Sequence, residues 1–345
     1  VIFNRWEFPS SHSVIAGTTG FGKSYFVKLT LIRELINNPE TNIFIIDPMG
    51  EYSRLVRALD GTVVHVGERG NEINPLDLYS NASLSEKIVS LKNILSITMD
   101  LGKSDLAIID AALTSLYSRK SKPLLGDLVE TLEKFEDDRS KRMAFYLEKL
   151  INGSLKNLNS QTNINLSKKV VSFDLTNVKD EFLTLYMVII LDFIYSMVTK
   201  NFERKIVVVD EAWKLLYNDY SALYLETMYR HVRRWKCSMN IISHKIDEFL
   251  ESVRGRNILN NSLIHAIFKH ANISMEMKNF YKLTRVEEDY VLNAKKPKEN
   301  GYSQALFISF PYRIPLRIYG TDKENELITT DPDEMREIFL INKVK

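Results

Sequence analysis

Eight residues near the start of the sequence form a glycine-rich pattern that suits phosphate binding. Residues 17–24 have the sequence GTTGFGKS, which matches the pattern G-x-x-x-x-G-K-[ST] in full. Glycines allow backbone angles that turn amide N–H groups inward, and such a nest of amides binds phosphate oxygens. The segment follows an apolar run and precedes a helical pattern, so a chance glycine-rich turn is disfavoured. We predict that this loop binds the phosphates of a nucleotide.

Each position of the loop has an expected role. Lys23 is expected to reach the β- and γ-phosphates, and the hydroxyl of Ser24 is expected to bind Mg²⁺. The following helix adds its positive amino-terminal end. The expected substrate and cofactor are ATP and Mg²⁺. The residues predicted to bind the nucleotide are Gly17, Thr18, Thr19, Gly20, Phe21, Gly22, Lys23, Ser24 and Tyr25.

Acidic residues follow two of the apolar runs. Asp210 and Glu211 end the run KIVVVDE, and we expect Asp210 to hold the Mg²⁺ shell and Glu211 to act as general base on water. The alternative is a strand that ends in a solvated acidic turn. The segment DPMGEY places Asp47 and Glu51 after another strand pattern. These two acids could line the same crevice or form an exposed turn, and both interpretations stay open.

A parallel sheet would bring these segments together. Alternating strand and helix patterns predict an α/β fold with a mainly parallel central sheet flanked by helices. The last two strands are expected to form a hairpin, with Pro315 placing the final strand at an edge. A helix is predicted over about residues 23–36, and a short one over 333–340. Strands are predicted at residues 12–16, 42–47, 63–66, 170–175, 206–210, 239–243, 264–268, 304–310 and 314–319.

The region between the third and fourth strand patterns differs in character. Residues 76–165 have a helical pattern with few β-branched runs, which predicts an all-helical insert. The core would then be discontinuous, made of residues 1–75 and 166–345. Because the sequence begins with Val1 rather than methionine, we also expect an N-terminal domain of the full-length protein to be missing.

Composition narrows the class of protein. Hydrophobic residues make up 45% and charged residues 26% of the chain, which is typical of a globular protein. The net charge of +2 requires any DNA contact to come from local patches. Cys237 is the single cysteine, which excludes an internal disulfide and fits a reducing, cytosolic compartment. The apolar stretch 182–198 contains Asp192 and is interpreted as a buried helix rather than a transmembrane segment.

Four segments together resemble one branch of motor ATPases. The motifs GTTGFGKS, IIDPMGEY, VVVDEAWKLL and ISHKIDEFL resemble the HerA/FtsK branch of RecA-like P-loop ATPases. More narrowly, they resemble the ATPases of conjugation and type IV secretion, namely the fourth VirB protein and its TraC and TrbE relatives. Residues 58–78 and 258–334 resemble the same family, so the likeness covers most of the chain outside the helical stretch.

The resemblance implies a function and an assembly. It implies a homo-hexameric motor at the cytoplasmic, inner face of the cell membrane, which powers substrate transfer or pilus assembly. The implied partners are other subunits of the type IV secretion machine, including a coupling ATPase, and DNA is a possible partner. Two alternatives stay open: a HerA/FtsK-like DNA translocase, and a scaffold that binds ATP without hydrolysing it.

The resemblance also assigns roles outside the phosphate loop. The family usually has a glutamine that senses the γ-phosphate at the end of the strand after the acidic pair, whereas here Ser243 and His244 stand at that place. His244 can donate to a phosphate oxygen or to water, although its neutral form donates from one nitrogen only. The alternative is a surface histidine after a strand.

An arginine before that strand acts in trans in the relatives, on the nucleotide of a neighbouring subunit. Arg233 matches this place and is the candidate arginine finger, which would stabilise charge on the transferring phosphoryl group of the neighbour. Together with Arg230 and Arg234 it is expected on one helix face, which could equally be a solvated or DNA-facing basic face. Arg254 and Arg256 are weaker candidates.

Overall fold

The computed structural model describes residues 3–79, 83–164 and 166–329. Its core is a sheet of nine strands within those residues, and the predicted strands are all present with bounds that differ by at most two residues. The strands are β1 (Ser13–Ala16), β2 (Asn42–Asp47), β3 (Thr62–His65), β4 (Val170–Asp174), β5 (Lys205–Val209), β6 (Cys237–Ser243), β7 (Ile264–Ile267), β8 (Ser303–Ser309) and β9 (Tyr312–Ile318).

The sheet is mainly parallel, as the sequence predicts. Its order is β3-β4-β2-β5-β6-β1-β7-β8-β9. The strands from β3 to β7 in this order pair in parallel, and β8 and β9 add antiparallel pairs. Because β1 lies between β6 and β7, the residues after β1 lie beside the carboxyl ends of both strands. In open α/β sheets such a crevice is the usual ligand site.

Helices cover both faces of the sheet. They are α1 (Lys23–Asn37), α2 (Ser53–Ala58), α3 (Leu84–Thr98), α4 (Lys103–Arg119), α5 (Leu125–Glu133), α6 (Asp138–Asn152), α7 (Asp180–Val198), α8 (Asp219–Val232), α9 (Asp247–Leu250), α10 (Val253–Asn261), α11 (Met275–Tyr281), α12 (Arg285–Leu292), α13 (Pro297–Asn300) and α14 (Asp322–Ile328).

Alternate residues of each central strand enter two different hydrophobic clusters. In β5, Val207 and Val209 join the larger cluster on one face, whereas Ile206 and Val208 join a smaller cluster with α1 and α2 on the other. All four side chains are fully buried. A strand that is covered on both faces needs apolar residues at every position, which is why the run IVVV predicted a central strand.

The helices α3–α6 lie in the stretch predicted to be all-helical. Their buried residues belong to the same hydrophobic cluster as α7 and one sheet face, so the helices share one core with the sheet. An ion pair between a buried lysine and a partly buried aspartate joins α3 to α7, with Lys87 Nζ 2.7 Å from Asp192 Oδ2. Ser90 and Tyr224 also donate to this carboxylate. The insert boundaries at residues 76 and 165 stay a prediction.

Among the described residues, α7 alone is long and apolar enough to span a membrane by length and composition. Its most apolar stretch of 18 residues has a mean hydropathy of 1.8, and 67% of that stretch is buried inside the protein. Buried core helices of folded proteins can have the same length and apolar composition. The packing of α7 between α3, α8 and the sheet agrees with its interpretation as a buried helix.

The end of the described chain returns to the first helix. The strands β8 and β9 form the predicted hairpin, and β9, which contains Pro315, lies at the sheet edge. After it, α14 packs on α1, where Arg33 Nε lies 2.9 Å from Glu324 Oε1. Tyr25 Oη donates to Asn325 Oδ1 at 2.7 Å. The helix predicted at 333–340 lies outside the described residues.

Candidate functional site

The glycine-rich loop lies between β1 and α1, and its backbone needs glycine. Gly17, Gly20 and Gly22 have φ values of +151°, +83° and +97°, which residues with a Cβ rarely adopt. A Cβ on Gly22 would lie 2.0 Å from Ser303 Oγ, and one on Gly17 would lie 2.6 Å from Phe268 Cβ. The loop is therefore pressed against β8 and the segment that follows β7.

Backbone hydrogen bonds fix the start of the loop, and the amides at its end remain available to bind an anion. Gly17 N donates to Ser243 O at 3.2 Å, which ties the loop to the end of β6. Thr18 N donates to Lys269 O at 2.7 Å, after β7. α1 begins directly behind the loop at Lys23, and the first amides of a helix have no acceptor within it. This end of α1 therefore presents donors and a positive dipole to an anion.

The lysine of the loop faces a group of acids. Lys23 is only 7% exposed, and burial lowers its pKa although Asp210, Glu211 and Glu51 attract its charge. The sequence predicts this juxtaposition of the loop with the acids after β5, whereas for the acids after β2 it leaves a crevice position and an exposed turn both open. Ser24, which is partly buried, follows as the second residue of α1.

The two adjacent acids at the end of β5 have different environments. Asp210 is 5% exposed, and burial together with the neighbouring Glu211 and Glu51 raises its pKa to about 7. Glu211 adopts a left-handed φ of +51°, and its backbone N donates to Asp210 Oδ1 at 2.9 Å. Crowded carboxylates next to a phosphate loop form a donor set for a cation, because a cation would relieve their repulsion.

His244 connects the acids to the phosphate loop. Its Nε2 lies 2.8 Å from Glu211 Oε2, and its Nδ1 lies 3.1 Å from Thr19 Oγ1. The hydrogen bond to Glu211 raises the pKa of His244 above its ordinary value. Burial would raise the pKa of Glu211, but hydrogen bonds from His244 and Trp213 outweigh it and lower that pKa. His244 is thus part of the site in this structure rather than an isolated surface histidine.

The acidic segment after β2 divides into a structural acid, Asp47, and an acid that faces the site, Glu51. Asp47 is fully buried, and its two carboxylate oxygens accept from Glu51 N at 3.0 Å and Tyr52 N at 2.9 Å. Burial raises the pKa of Asp47 to about 6. Neither possibility left open by the sequence describes Asp47 fully, because it closes a turn and is not exposed. Glu51 is partly buried and lies within electrostatic reach of Lys23 and Asp210.

The candidate finger lies at the opposite end of the sheet from the phosphate loop. Arg233 precedes β6 and lies close enough to His12, which precedes β1, to affect its pKa. The seven residues of β6 span about 20 Å, and the loop lies beyond their far end. Arg233 is therefore too far to reach the nucleotide site of its own chain.

The expected shared face of three arginines does not form. α8 ends at Val232, and Arg233 and Arg234 lie in a 3-10 turn that is closed by Lys236 with φ of +52°. Arg230 remains on α8 and pairs with Glu226 at 3.6 Å.

The two weaker candidates are engaged within the chain. Arg254 Nη1 donates to Glu226 Oε2 at 3.1 Å, and Arg256 Nε donates to Leu250 O at 2.6 Å.

The sequence does not indicate the contacts of two further site residues. Trp213 donates from its indole N–H to Glu211, and Glu248 accepts from the hydroxyl of Ser243. Glu248 is also one of the acids that attract Lys23. No spacing rule indicates such contacts, although Trp213 and Glu248 both lie inside motifs that carried the family resemblance.

The residues fit a magnesium–nucleotide complex. No group of three or more His, Cys, Asp or Glu side chains in the described parts of the chain could hold a metal ion by itself. In phosphoryl-transfer sites Mg²⁺ is usually bound by one or two carboxylates together with substrate phosphates. Ser24 and Asp210 are suited to that arrangement.

The fold and the loop together define a P-loop NTPase. The model of one family, the TraG P-loop domain, matches residues 145–343, which is more than half of the chain. The chain belongs to the TraG P-loop domain family. This result confirms the resemblance to the P-loop ATPases of type IV secretion and conjugation.

Solved structures have the same fold. VirB4 of Thermoanaerobacter pseudethanolicus superposes with a TM-score of 0.83, 22% identity and coverage of 94% of both chains. The bacterial conjugative coupling protein TrwB gives a TM-score of 0.50 and 12% identity, covering 93% of this chain and 80% of that chain. TrwB has also been solved with ADP and Mg²⁺, with a TM-score of 0.50 and 11% identity over the same shares.

A curated relative matches a short segment. The uncharacterized protein aq_aa31 of Aquifex aeolicus (strain VF5) is 44% identical over 46 residues, which is 13% of this chain. The match spans 17% of the length of that relative.

Proposed function

We propose that this chain is an ATP-hydrolysing motor domain that energises type IV secretion or conjugative DNA transfer, including pilus assembly. The observation that carries the proposal is that, in a TraG-family chain, Asp210 and Glu211 lie at the carboxyl end of β5, two strands from the phosphate loop after β1 and within electrostatic reach of its Lys23. A phosphate loop alone would bind nucleotide. The adjacent acids add the groups that hydrolysis needs.

The geometry of the site supports the following proposed roles. Lys23 neutralises charge on the β- and γ-phosphates, and Ser24 and Asp210 hold Mg²⁺. Bound Mg²⁺ supplies charge neutralisation at the phosphate oxygens. Glu211 accepts the proton of the attacking water. In such sites, positioning and electrostatic stabilisation supply most of the catalysis.

His244 is proposed to sense the terminal phosphate. Its ring bridges Thr19 of the loop and Glu211, so a phosphate that displaces the Thr19 contact would change the hydrogen bonds of the base. The neutral tautomer with its proton on Nε2 satisfies both contacts, because Nδ1 then accepts from the Thr19 hydroxyl.

Arg233 is proposed to act on the nucleotide of a neighbouring subunit. The length of β6 separates it from its own phosphate loop, so a finger role requires another copy of the chain. A ring of six copies at the inner face of the cell membrane, working with other subunits of the secretion machine and a coupling ATPase, would provide that neighbour. The domain boundaries at residues 76 and 165 belong to the same proposal.

One surface favours a second candidate, a DNA translocase. Phe202, which is 61% exposed, stacks on Trp235 with ring centroids 4.7 Å apart, and the guanidinium of Arg234 lies 6.0 Å from the Trp235 ring centroid. Aromatic rings with nearby cations stack nucleic-acid bases. This candidate predicts hydrolysis that DNA stimulates, with binding that weakens steeply with salt.

The test compares two glutamates in steady-state hydrolysis. Glu211→Gln is expected to reduce kcat by about a hundredfold or more while ATP still binds, and Lys23→Ala is expected to abolish turnover. Glu130→Gln, an exposed position on α5, is the matched control and should hydrolyse like the wild type. Full activity in Lys23→Ala would overturn the assignment. Bound ATP that stays intact for hours in the wild type at every protein concentration would indicate the non-hydrolysing scaffold.

A further inference from the structure

The carboxylate of Glu211 is held on one side only. Its Oε2 accepts from the indole N–H of Trp213 and lies 2.8 Å from His244 Nε2. Within the described residues, no side-chain hydrogen bond is formed by Oε1. One oxygen therefore takes two protein donors, and the lone pairs of the other stay available.

The backbone brings the indole back to the acid. Glu211 has φ of +51° and is followed by the 3-10 helix Ala212–Leu215. A left-handed glutamate costs about 1 kcal/mol or more, so the surrounding structure must hold this turn. Trp213 is itself supported, because Tyr217 packs edge-on against its ring at 5.2 Å and the ammonium of Lys214 lies 5.1 Å from the ring centroid.

We propose that Trp213 is a positioning residue for the general base, which fixes Oε2 of Glu211 so that Oε1 is presented to the attacking water. This inference rests on the proposed function. The terminal torsion of a glutamate has a broad energy minimum, so a single donor leaves the carboxylate free to swing. A second donor on the same oxygen restricts this motion, and catalytic groups need placement within about 0.5 Å.

The principal test removes the indole N–H and keeps an aromatic ring. Trp213→Phe is expected to lower kcat by about ten- to a hundredfold, the range for one hydrogen bond to a charged group, with KM for ATP within about twofold because no substrate contact is lost. Trp6→Phe is the matched control. Trp6 Nε1 also donates to a glutamate, Glu34 Oε1 at 2.8 Å, near the far end of α1, and this variant should keep wild-type kcat.

A conservative variant separates the N–H from the bulk of the ring. The Nε2 of histidine occupies nearly the same ring position as the Nε1 of tryptophan. Trp213→His should therefore recover part of the kcat that Trp213→Phe loses. Far-UV circular dichroism and nucleotide affinity establish that each variant is folded. If Trp213→Phe does not fold, the kcat of Trp213→His relative to the wild type is the deciding measurement. A loss of kcat of more than a hundredfold in folded Trp213→His would overturn the inference.

A double variant tests whether Trp213 acts through the base. In a Glu211→Gln background, Trp213→Phe should cause no further loss of kcat, because the group it positions is already gone. An equal loss in both backgrounds would overturn the inference, as would a Trp213→Phe variant with kcat within twofold of the wild type. An active wild type together with an unaffected Trp213→Phe variant would overturn the inference alone. A wild type without hydrolysis would overturn the proposed function, so the two failures are distinguishable.

Discussion

Alanine at Gly22 tests how the phosphate loop is held against the sheet. The backbone there has φ of +97°, and a new Cβ would lie 2.0 Å from Ser303 Oγ and 2.7 Å from Ser303 Cβ. The left-handed backbone costs about 1–2 kcal/mol for a residue with a Cβ. The serine hydroxyl can rotate away but its Cβ cannot, so overpacking adds about 1–3 kcal/mol. We expect Gly22→Ala to lower the free energy of unfolding by about 2–5 kcal/mol.

Two further variants separate these contributions. Gly20→Ala has a similar φ of +83° and no atom within 4 Å of its new Cβ, so it should lose only the backbone part, about 1–2 kcal/mol. Combining Ser303→Gly with Gly22→Ala should recover the stability that is lost to overpacking. A double-mutant cycle should show this recovery as a coupling of about 1–3 kcal/mol. Urea unfolding of the nucleotide-free protein, followed by far-UV circular dichroism, measures all of these. A Gly22→Ala variant that destabilises the protein no more than Gly20→Ala, or whose effect is independent of Ser303, would refute overpacking against Ser303.

Three other predictions address assembly, the helical stretch and pH. Mixing Arg233→Ala with the inactive phosphate-loop lysine variant should restore hydrolysis, because each supplies what the other lacks across a subunit interface; no recovery would argue against a finger in trans. Asp192→Leu leaves Lys87 buried and unpaired, so urea unfolding should show a loss of about 3–5 kcal/mol, and adding Lys87→Met should recover much of it. Arg313 lowers the pKa of Glu287 to about 2, so this pair stabilises the fold above the ordinary glutamate range and loses that effect as pH falls toward 2. The unfolding free energies of wild type and Arg313→Met should therefore converge between about pH 5 and pH 2.

The strands and the phosphate loop could be predicted because their signals are local. The run Ile206–Val209 is apolar at every position, since alternate residues enter the two clusters on opposite faces of the sheet. The loop is defined by spacing alone. Once the strands are taken as parallel, their carboxyl ends share one edge, and the juxtaposition of Lys23 with Asp210 follows.

Contacts that depend on individual backbone angles could not be predicted. The left-handed Glu211 brings Trp213 back onto the carboxylate, and nothing in the sequence indicates a positive φ at a glutamate. The same applies to Lys236, whose left-handed angle ends the arginine segment in a 3-10 turn. The burial of Asp47 could not be predicted either, because Pro48 and Gly50 indicate a turn but not whether that turn is buried. The hexameric assembly, the domain boundaries and the arginine finger that acts in trans stay predictions.

The rate of phosphate release per subunit, measured against protein concentration, tests the central claim most directly. A motor with a base in one subunit and a finger in the next should hydrolyse ATP poorly when dilute, and its rate per subunit should climb as copies associate. A rate that stays the same at every concentration would contradict sites shared between subunits. Bound ATP that remains intact at every concentration would contradict hydrolysis itself.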